Sequence, residues 1–297
     1  MLKHHAQPLN RPPRVVVVGA AGFVGRALVK YLHAQDVPAL ALGRSELDLL
    51  ATDAGSRLAA LLRHDDCVVL SSARAPVKDN GMLIDNLRMM EAACAALTSQ
   101  PVAHVVYVSS DAVYADSKGL LAETSCAQPG SLHGAMHLAR EIMLQNAGKS
   151  PLCILRPTLI YGAADPHNGY GPNRFRRLAQ RGEEIVLFGE GEERRDHVYI
   201  DDVAQLAARC IAQRSAGILN IATGSVTSFR DIAAMIAAMA PAPVSIRATP
   251  RSGPMPHNGY RAFDPAAVKQ AFPDFSFTSL EAGLELSQRE EFHNGRS

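Results

Sequence analysis

Short unbroken apolar runs alternate with helix-spaced segments along the first half of the chain. Residues 15–18 are four valines, and the run stops at Gly19. Residues 23–34 then place Phe23, Ala27, Leu28, Tyr31 and Leu32 on one face of a helix. Runs at 38–42, 67–70, 104–109 and 152–156 predict further strands. Segments 54–63, 82–97 and 135–145 predict helices, the second with Leu83, Leu87, Met90, Cys94 and Leu97 in register. Strands covered on both faces are apolar throughout. Their alternation with helices implies right-handed crossovers and a parallel sheet. The expected fold class is α/β, a doubly wound parallel sheet with a smaller C-terminal lobe.

After Gly162 the pattern changes, and Gly, Pro, Asn and Arg dominate residues 163–173. A helix at 174–180, a strand at 185–188, a helix at 201–212 with Asp201 as candidate N-cap, and a strand at 217–222 follow. Ser228 is the candidate N-cap of a helix reaching residue 239, and the Pro-rich tail from Ala240 reads as irregular.

Gly19-Ala20-Ala21-Gly22-Phe23-Val24-Gly25 lies between the first strand and the first helix. Glycines there allow a sharp turn and let a pyrophosphate approach the free N–H groups of the helix start. The context is that of a Rossmann-like dinucleotide site, with a tight structural turn as the alternative. The expected division is a flexible lead-in over 1–13, a dinucleotide-binding domain over 14–162 plus about 197–224, and a substrate lobe over 163–196 plus 225–297.

Composition narrows the partners. The 297 residues are 47% hydrophobic, enough for a large core. Lys and Arg number 30 against 29 Asp and Glu, and Trp is absent, so neither nucleic acid nor an anionic membrane surface is expected as a partner. No apolar stretch is long enough to span a bilayer, and the polar, Pro-rich start is unlike a signal peptide. Five scattered cysteines without a C-x-x-C read as free thiols of a cytoplasmic protein.

The G-x-x-G-x-x-G spacing resembles the extended short-chain dehydrogenase/reductases, the NAD-dependent epimerase/dehydratase (sugar-nucleotide) family. The resemblance runs from Arg14 almost to the end. Val108 to Tyr114 resembles the strand-end motif with the catalytic Ser or Thr, here Ser110, and Leu155 to Gly162 resembles the next strand. Leu187 to Gly191, Arg195 to Val203, Asn220 to Gly224 and Arg251 to Gly253 resemble later segments.

The resemblance implies that Gly19, Gly22, Phe23, Val24, Gly25, Asp48, Leu49, His137 and Pro157 line the cofactor. Arg44 ends the second strand where an acidic residue often binds the ribose of NAD. Arg44 could pair with a 2′-phosphate, which favours NADP over NAD, or could be a solvated loop charge. Arg195 and Arg251 correspond to arginines that clasp the diphosphate of a nucleotide-linked sugar; an ion pair with Asp196 or Asp202 is the alternative at Arg195.

The family's catalytic Y-x-x-x-K is replaced by His133 and His137. Spaced i, i+4, both should face one pocket. Imidazole, near pKa ~6.5, can exchange protons without the cationic neighbour that a phenol near ~10 needs. Three readings follow: His133 as a working acid/base with His137 on the ribose, a cofactor-binding protein without turnover, or a metal pair. No third ligand is evident, so no metal is expected. The literal Tyr114…Lys118 spacing lies in the turn leaving the strand and is set aside.

By the same resemblance, the family's dehydratases place Asp and Glu after the catalytic Thr, and its reductive epimerases place a Cys two residues beyond the Ser; Asp111 and Ala112 after Ser110 therefore disfavour both. A C4 epimerase-like or keto-reductase-like oxidoreductase remains. The family also implies a homodimer through helices 82–97 and 135–145.

Overall fold

The computed structural model describes residues 2–6 and 11–294. In chain order its first half runs β1 (Val15–Val18), α1 (Phe23–Ala34), β2 (Ala39–Leu42), α2 (Ala54–Leu61), β3 (Cys67–Leu70), α3 (Asn80–Ser99), β4 (His104–Val108), α4 (Leu132–Ala147) and β5 (Leu152–Pro157). Then come β6 (Leu159–Tyr161), α5 (Pro172–Gln180), β7 (Ile185–Phe188), β8 (Arg194–Tyr199), α6 (Ile200–Ala212) and β9 (Gly217–Ile221). The last part holds β10 (Val226–Ser228), α7 (Phe229–Met239), β11 (Ile246–Thr249), β12 (Tyr260–Arg261), α8 (Ala266–Ala271) and α9 (Leu280–Asn294).

The central sheet has the order β2-β1-β3-β4-β5-β9, and every pair in it is parallel. Alternate side chains of each strand enter different cores. Val15 and Val17 pack with Leu28, Leu206 and Ala207 on the face covered by α1 and α6. Val16 and Val18 pack with Leu58, Met90 and Leu144 on the face covered by α2, α3 and α4. Both faces are covered, so the valine run shows no polar alternation. The strand order reverses between β1 and β3, and the first strand–helix turn opens at that edge.

The lobe is built around Phe175, Ile185, Leu187, Phe229, Ile232 and Leu284. Its sheet, β10-β8-β12 with β6 pairing β8, was not expected from the sequence. β6 follows β5 after one residue, and β8 is too charged to read as a buried strand.

Several expectations need correction. The tail beyond Ala240 is not irregular: β11 pairs with β7, and α8 and α9 are helices. Val268, Phe272 and Phe275 join the core under the central sheet, so residues 225–297 are not all lobe. Asp201 is not an N-cap. Tyr199 precedes α6, Asp201 lies in its first turn, and Asp202 accepts the N–H and O–H of Thr278 at 2.8 and 2.9 Å. Ser228 does cap α7, accepting the Asp231 N–H at 3.0 Å. Residues 2–6 of the expected lead-in lie against the edge of β9. Lys3 bridges Ala216 and His4 Nδ1 meets Ser215 Oγ at 2.8 Å. Residues 1 and 7–10 of that lead-in, and 295–297 of the lobe, lie outside the described residues.

Candidate active site

The glycine turn is held by close backbone approaches. Gly19 has φ +94°, and a Cβ there would sit 2.5 Å from the Ser72 nitrogen. Such φ values and such proximity admit only glycine. A Cβ on Gly25 would sit 2.2 Å from the Gly19 carbonyl oxygen. Gly25 thus lets α1 close onto the turn itself. Gly22 is the N-cap of α1 and offers no side chain to its first N–H groups, and the first turn carries no acid. An uncapped helix start with positive partial charge fits an anion such as a dinucleotide's pyrophosphate.

Two clefts meet at this turn. The first, about 300 Å³, is lined by Gly19, Gly22, Arg44, Asp48, Leu49 and Ser72, among others. Arg44 is largely exposed there and pairs with Asp48 at 3.3 Å. The second, about 660 Å³, shares Gly22, Ser71 and Ala73 with the first and runs past Phe23 and Val24 to Ser110, His133, His137, Pro157 and Arg195. The structure therefore brings together every expected cofactor and catalytic residue except Gly25, which shapes the turn from behind. Arg251 is not part of this lining. It lies at the lobe rim, where it donates to the Phe188 carbonyl at 3.0 Å and meets Glu192 at 3.4 Å.

Ser110 leaves β4 in an extended conformation and caps a short 3-10 turn, its Oγ accepting the Ala112 N–H at 3.1 Å. Buried Arg261 clamps this turn, donating from Nε to Asp111 Oδ2 at 2.9 Å and from Nη2 to the Asp111 carbonyl at 2.6 Å. Ser131 caps α4 by accepting the Gly134 N–H at 3.1 Å. Gly134 seats the helix against the Ala112 carbonyl, which a Cβ would approach to 2.0 Å. That contact sets His133 beside the Ser110 turn.

The two histidine rings meet edge to face, with centroids 4.8 Å apart. His137 is buried, and its Nδ1 lies 2.8 Å from the Tyr107 hydroxyl. Burial, then the neighbouring His133 and Arg140, hold His137 well below the usual imidazole range. Burial also lowers His133, against the pull of Asp111. Both rings are thus neutral at pH 7. His133 Nδ1 is buried without a partner, so its exchange with the cleft runs through Nε2.

Beneath the cleft, Glu141 of α4 and Arg156 of β5 form a buried pair at 2.5 and 2.9 Å, and Ser109 Oγ donates to the same carboxylate at 2.5 Å. Arg156 lies 4.8 Å over the Tyr114 ring. Tyr114 is buried and donates to Asn220 at 2.7 Å, while Lys118 is exposed, so that literal Y-x-x-x-K pair does not converge.

Arg195 lines the cleft and is paired with Glu193 at 2.9 Å, so an ion pair is present there, with Glu193 in place of the expected Asp196 or Asp202. Sequence reading missed several lining residues. Asp165, His167 and Tyr170 come from the Gly- and Pro-rich stretch after β6, His197 from β8, and His257 from the tail. His167, the one histidine of the Gly- and Pro-rich stretch 163–173, was the available signal. Among the described residues, no group of three His, Cys, Asp or Glu side chains could hold a metal ion. No helix among them is long and apolar enough to cross a membrane.

A doubly wound parallel sheet, an uncapped glycine-bounded helix start and a cleft running from it to Ser110 and the two histidines define a Rossmann-type dinucleotide-binding protein. The chain belongs to the NAD dependent epimerase/dehydratase family, whose model matches residues 15–222. It is 37% identical over 124 residues to dTDP-L-rhamnose 4-epimerase from Burkholderia thailandensis, a match that spans 39% of this chain and 34% of that relative. It is 24% identical to dTDP-4-dehydro-6-deoxy-D-allose reductase from Streptomyces bikiniensis over 95% of this chain and 97% of that one. Among solved structures, the fold is similar to Thermus thermophilus UDP-glucose 4-epimerase in complex with NAD, with TM-score 0.81, 24% identity, and coverage of 94% and 99% of the two chains. It is also similar to a GDP-L-fucose synthetase from Naegleria fowleri bound to NADP, with TM-score 0.83, 16% identity, and coverage of 99% and 98%.

Proposed function

We propose that this chain is an NAD(P)-dependent oxidoreductase or epimerase acting on a nucleotide-linked sugar, in the C4 epimerase or keto-reductase manner. One observation carries the reading: a single cleft runs from the glycine turn to Ser110, His133 and His137. Full-length similarity to a dTDP-sugar reductase supports the substrate class. The chemistry that a bound nicotinamide would supply is hydride transfer to and from the sugar carbon.

The chain's own residues supply the rest. The amides at the start of α1 hold the pyrophosphate. Ser110 Oγ accepts one N–H, and its own proton, which points to Asp111 Oδ1 at a long 3.4 Å, turns to the sugar oxygen. His133, neutral by burial, takes the hydroxyl proton on Nε2 during oxidation and returns it during reduction. His137 holds the ribose by a hydrogen bond. Arg195, at the lobe side of the cleft, turns from Glu193 to the sugar's diphosphate, with Arg251 closing from the rim. Arg44 at the mouth of the first cleft favours NADP, as an exposed guanidinium beside a 2′-phosphate. Two copies associate through the outer faces of α3 and α4 in the cytoplasm.

The test is turnover of a panel of dTDP-, UDP- and GDP-sugars by the His133→Phe variant. It should lose at least 100-fold in kcat, the scale of general acid–base catalysis, and keep its dinucleotide affinity. Unchanged turnover removes His133 from the reaction.

A second reading, dinucleotide binding without turnover, draws on the replacement of both dyad residues and on the shorter reach of imidazole. It expects a stabilising dinucleotide and no hydride transfer at 340 nm with any sugar nucleotide of the panel. Activity in a His133→Tyr, His137→Lys double variant would then mark a site intact but for those two side chains.

A further inference from the structure

Tyr107 belongs to none of the roles above, yet it has an unusual setting. Its side chain on β4 is fully buried in the core on the α3–α4 side of the sheet. A phenylalanine would fill that space without having to desolvate a hydroxyl. The hydroxyl is instead placed 2.8 Å from His137 Nδ1. The ring is held from its face by Arg140, whose guanidinium carbon lies 5.3 Å from the ring centre. Arg140 is itself buried and donates from Nη2 to the Ser72 carbonyl at 2.8 Å. Ser72 is the residue against which Gly19 makes its close approach. A continuous set of contacts therefore runs from the glycine turn through Ser72, Arg140 and Tyr107 to His137.

The hydrogen bond has a direction. A buried phenol must place its one hydrogen on an acceptor or bear the desolvation cost. Among the described contacts, His137 Nδ1 is the acceptor within reach. If Nδ1 accepts, the neutral ring carries its proton on Nε2. We propose that Tyr107 is a positioning residue: its hydroxyl locks His137 in the Nε2–H form, so that an imidazole N–H is offered to a ribose hydroxyl in the cleft. A neutral imidazole in the opposite form would present a lone pair there instead. Arg140 holds the phenol in place. Of the charged and titratable groups around His137, Arg140 and His133 come from α4 and Tyr107 from β4.

The inference rests on the reading above in one respect, that the acceptor in the cleft belongs to a dinucleotide. The experiment separates the two. Long-range proton–nitrogen NMR of the ligand-free, nitrogen-labelled protein at pH 7.5 reads the His137 form directly. Titration with NADP and NAD then reads binding.

The wild type should show one neutral form, Nε2 protonated and Nδ1 in a hydrogen bond. Tyr107→Phe should replace it by two exchanging forms and weaken dinucleotide binding by about fivefold, one hydrogen bond's net worth. A merely structural role would change the melting temperature and leave the nitrogen signature alone. Nδ1–H in the wild type, or an unaltered His137 signature in the variant, overturns the proposal. Should Tyr107→Phe not fold, the wild-type spectrum decides by itself. Absence of dinucleotide binding in a protein with the expected His137 signature would overturn the cofactor reading and leave the tautomer lock standing.

Discussion

At the residue scale, His133 and His137 share a helix face and differ in their partners. His137 is tied to Tyr107 through Nδ1, which leaves its Nε2–H to the ribose, whereas His133 is half-buried, with Nδ1 unpartnered and Nε2 left for the sugar. Only His133 is therefore placed to exchange a proton. Burial lowers its pKa below the ordinary 6.5 of imidazole. Sugar oxidation uses the neutral ring, so kcat/KM for oxidation should be flat from about pH 7 to 8.5. It should fall tenfold per unit at pH values below the lowered pKa. A rate still climbing through pH 8 to 9 would assign the proton to a group of higher pKa than His133. The sequence made the substitution of the dyad visible, because the i, i+4 spacing survives. It could not reveal Tyr107 or Arg261, which lie 30 residues before His137 and 150 after Asp111.

At the element scale, the site depends on how α4 is seated. Gly134 fits the Ala112 carbonyl at its start, and the Glu141–Arg156 pair fastens it to β5 two turns later. Both partners are almost fully buried, with side chains 2% and 4% exposed. Removing one member of such a pair leaves an uncompensated charge in the core. Glu141→Leu should cost about 3–5 kcal/mol in urea unfolding, and a loss below about 1 kcal/mol would mean that Arg156 finds another partner.

Elements with a clean pattern were legible. Residues 23–34 were read as α1 with both ends correct, since its apolar face meets the sheet and Gly22 marks its start. The charged strand β8 was not legible, because its buried side chains include the polar Asp196 and His197; Asp196 is satisfied by the distant Thr223 and Gly224 N–H groups, and His197 Nδ1 by the Arg195 carbonyl. Helix α9 was missed for a related reason: Leu284 and Ser287 are buried among charged neighbours, so no broad apolar stripe appears in the sequence.

At the scale of the whole molecule, the lobe and the sheet together line the larger cleft, so its sugar side needs both. The exposed outer faces of α3 and α4 carry Ile84 and Ile142, 48% and 51% exposed. A dimer through these helices predicts a doubled mass in light scattering, reduced to one chain by Ile84→Glu with Ile142→Glu. A wild type that runs as a monomer at micromolar concentration would contradict that association.

The central claim concerns the turn where α1 begins. Calorimetric titration with NADP and NAD tests it, on the wild type and on Gly25→Val, whose side chain cannot fit against the Gly19 carbonyl. The account predicts one dinucleotide per chain for the wild type, and for the variant a loss of binding of at least tenfold with the sheet still folded by circular dichroism. Equal affinity in both proteins, or no uptake of either dinucleotide by the wild type, would contradict it.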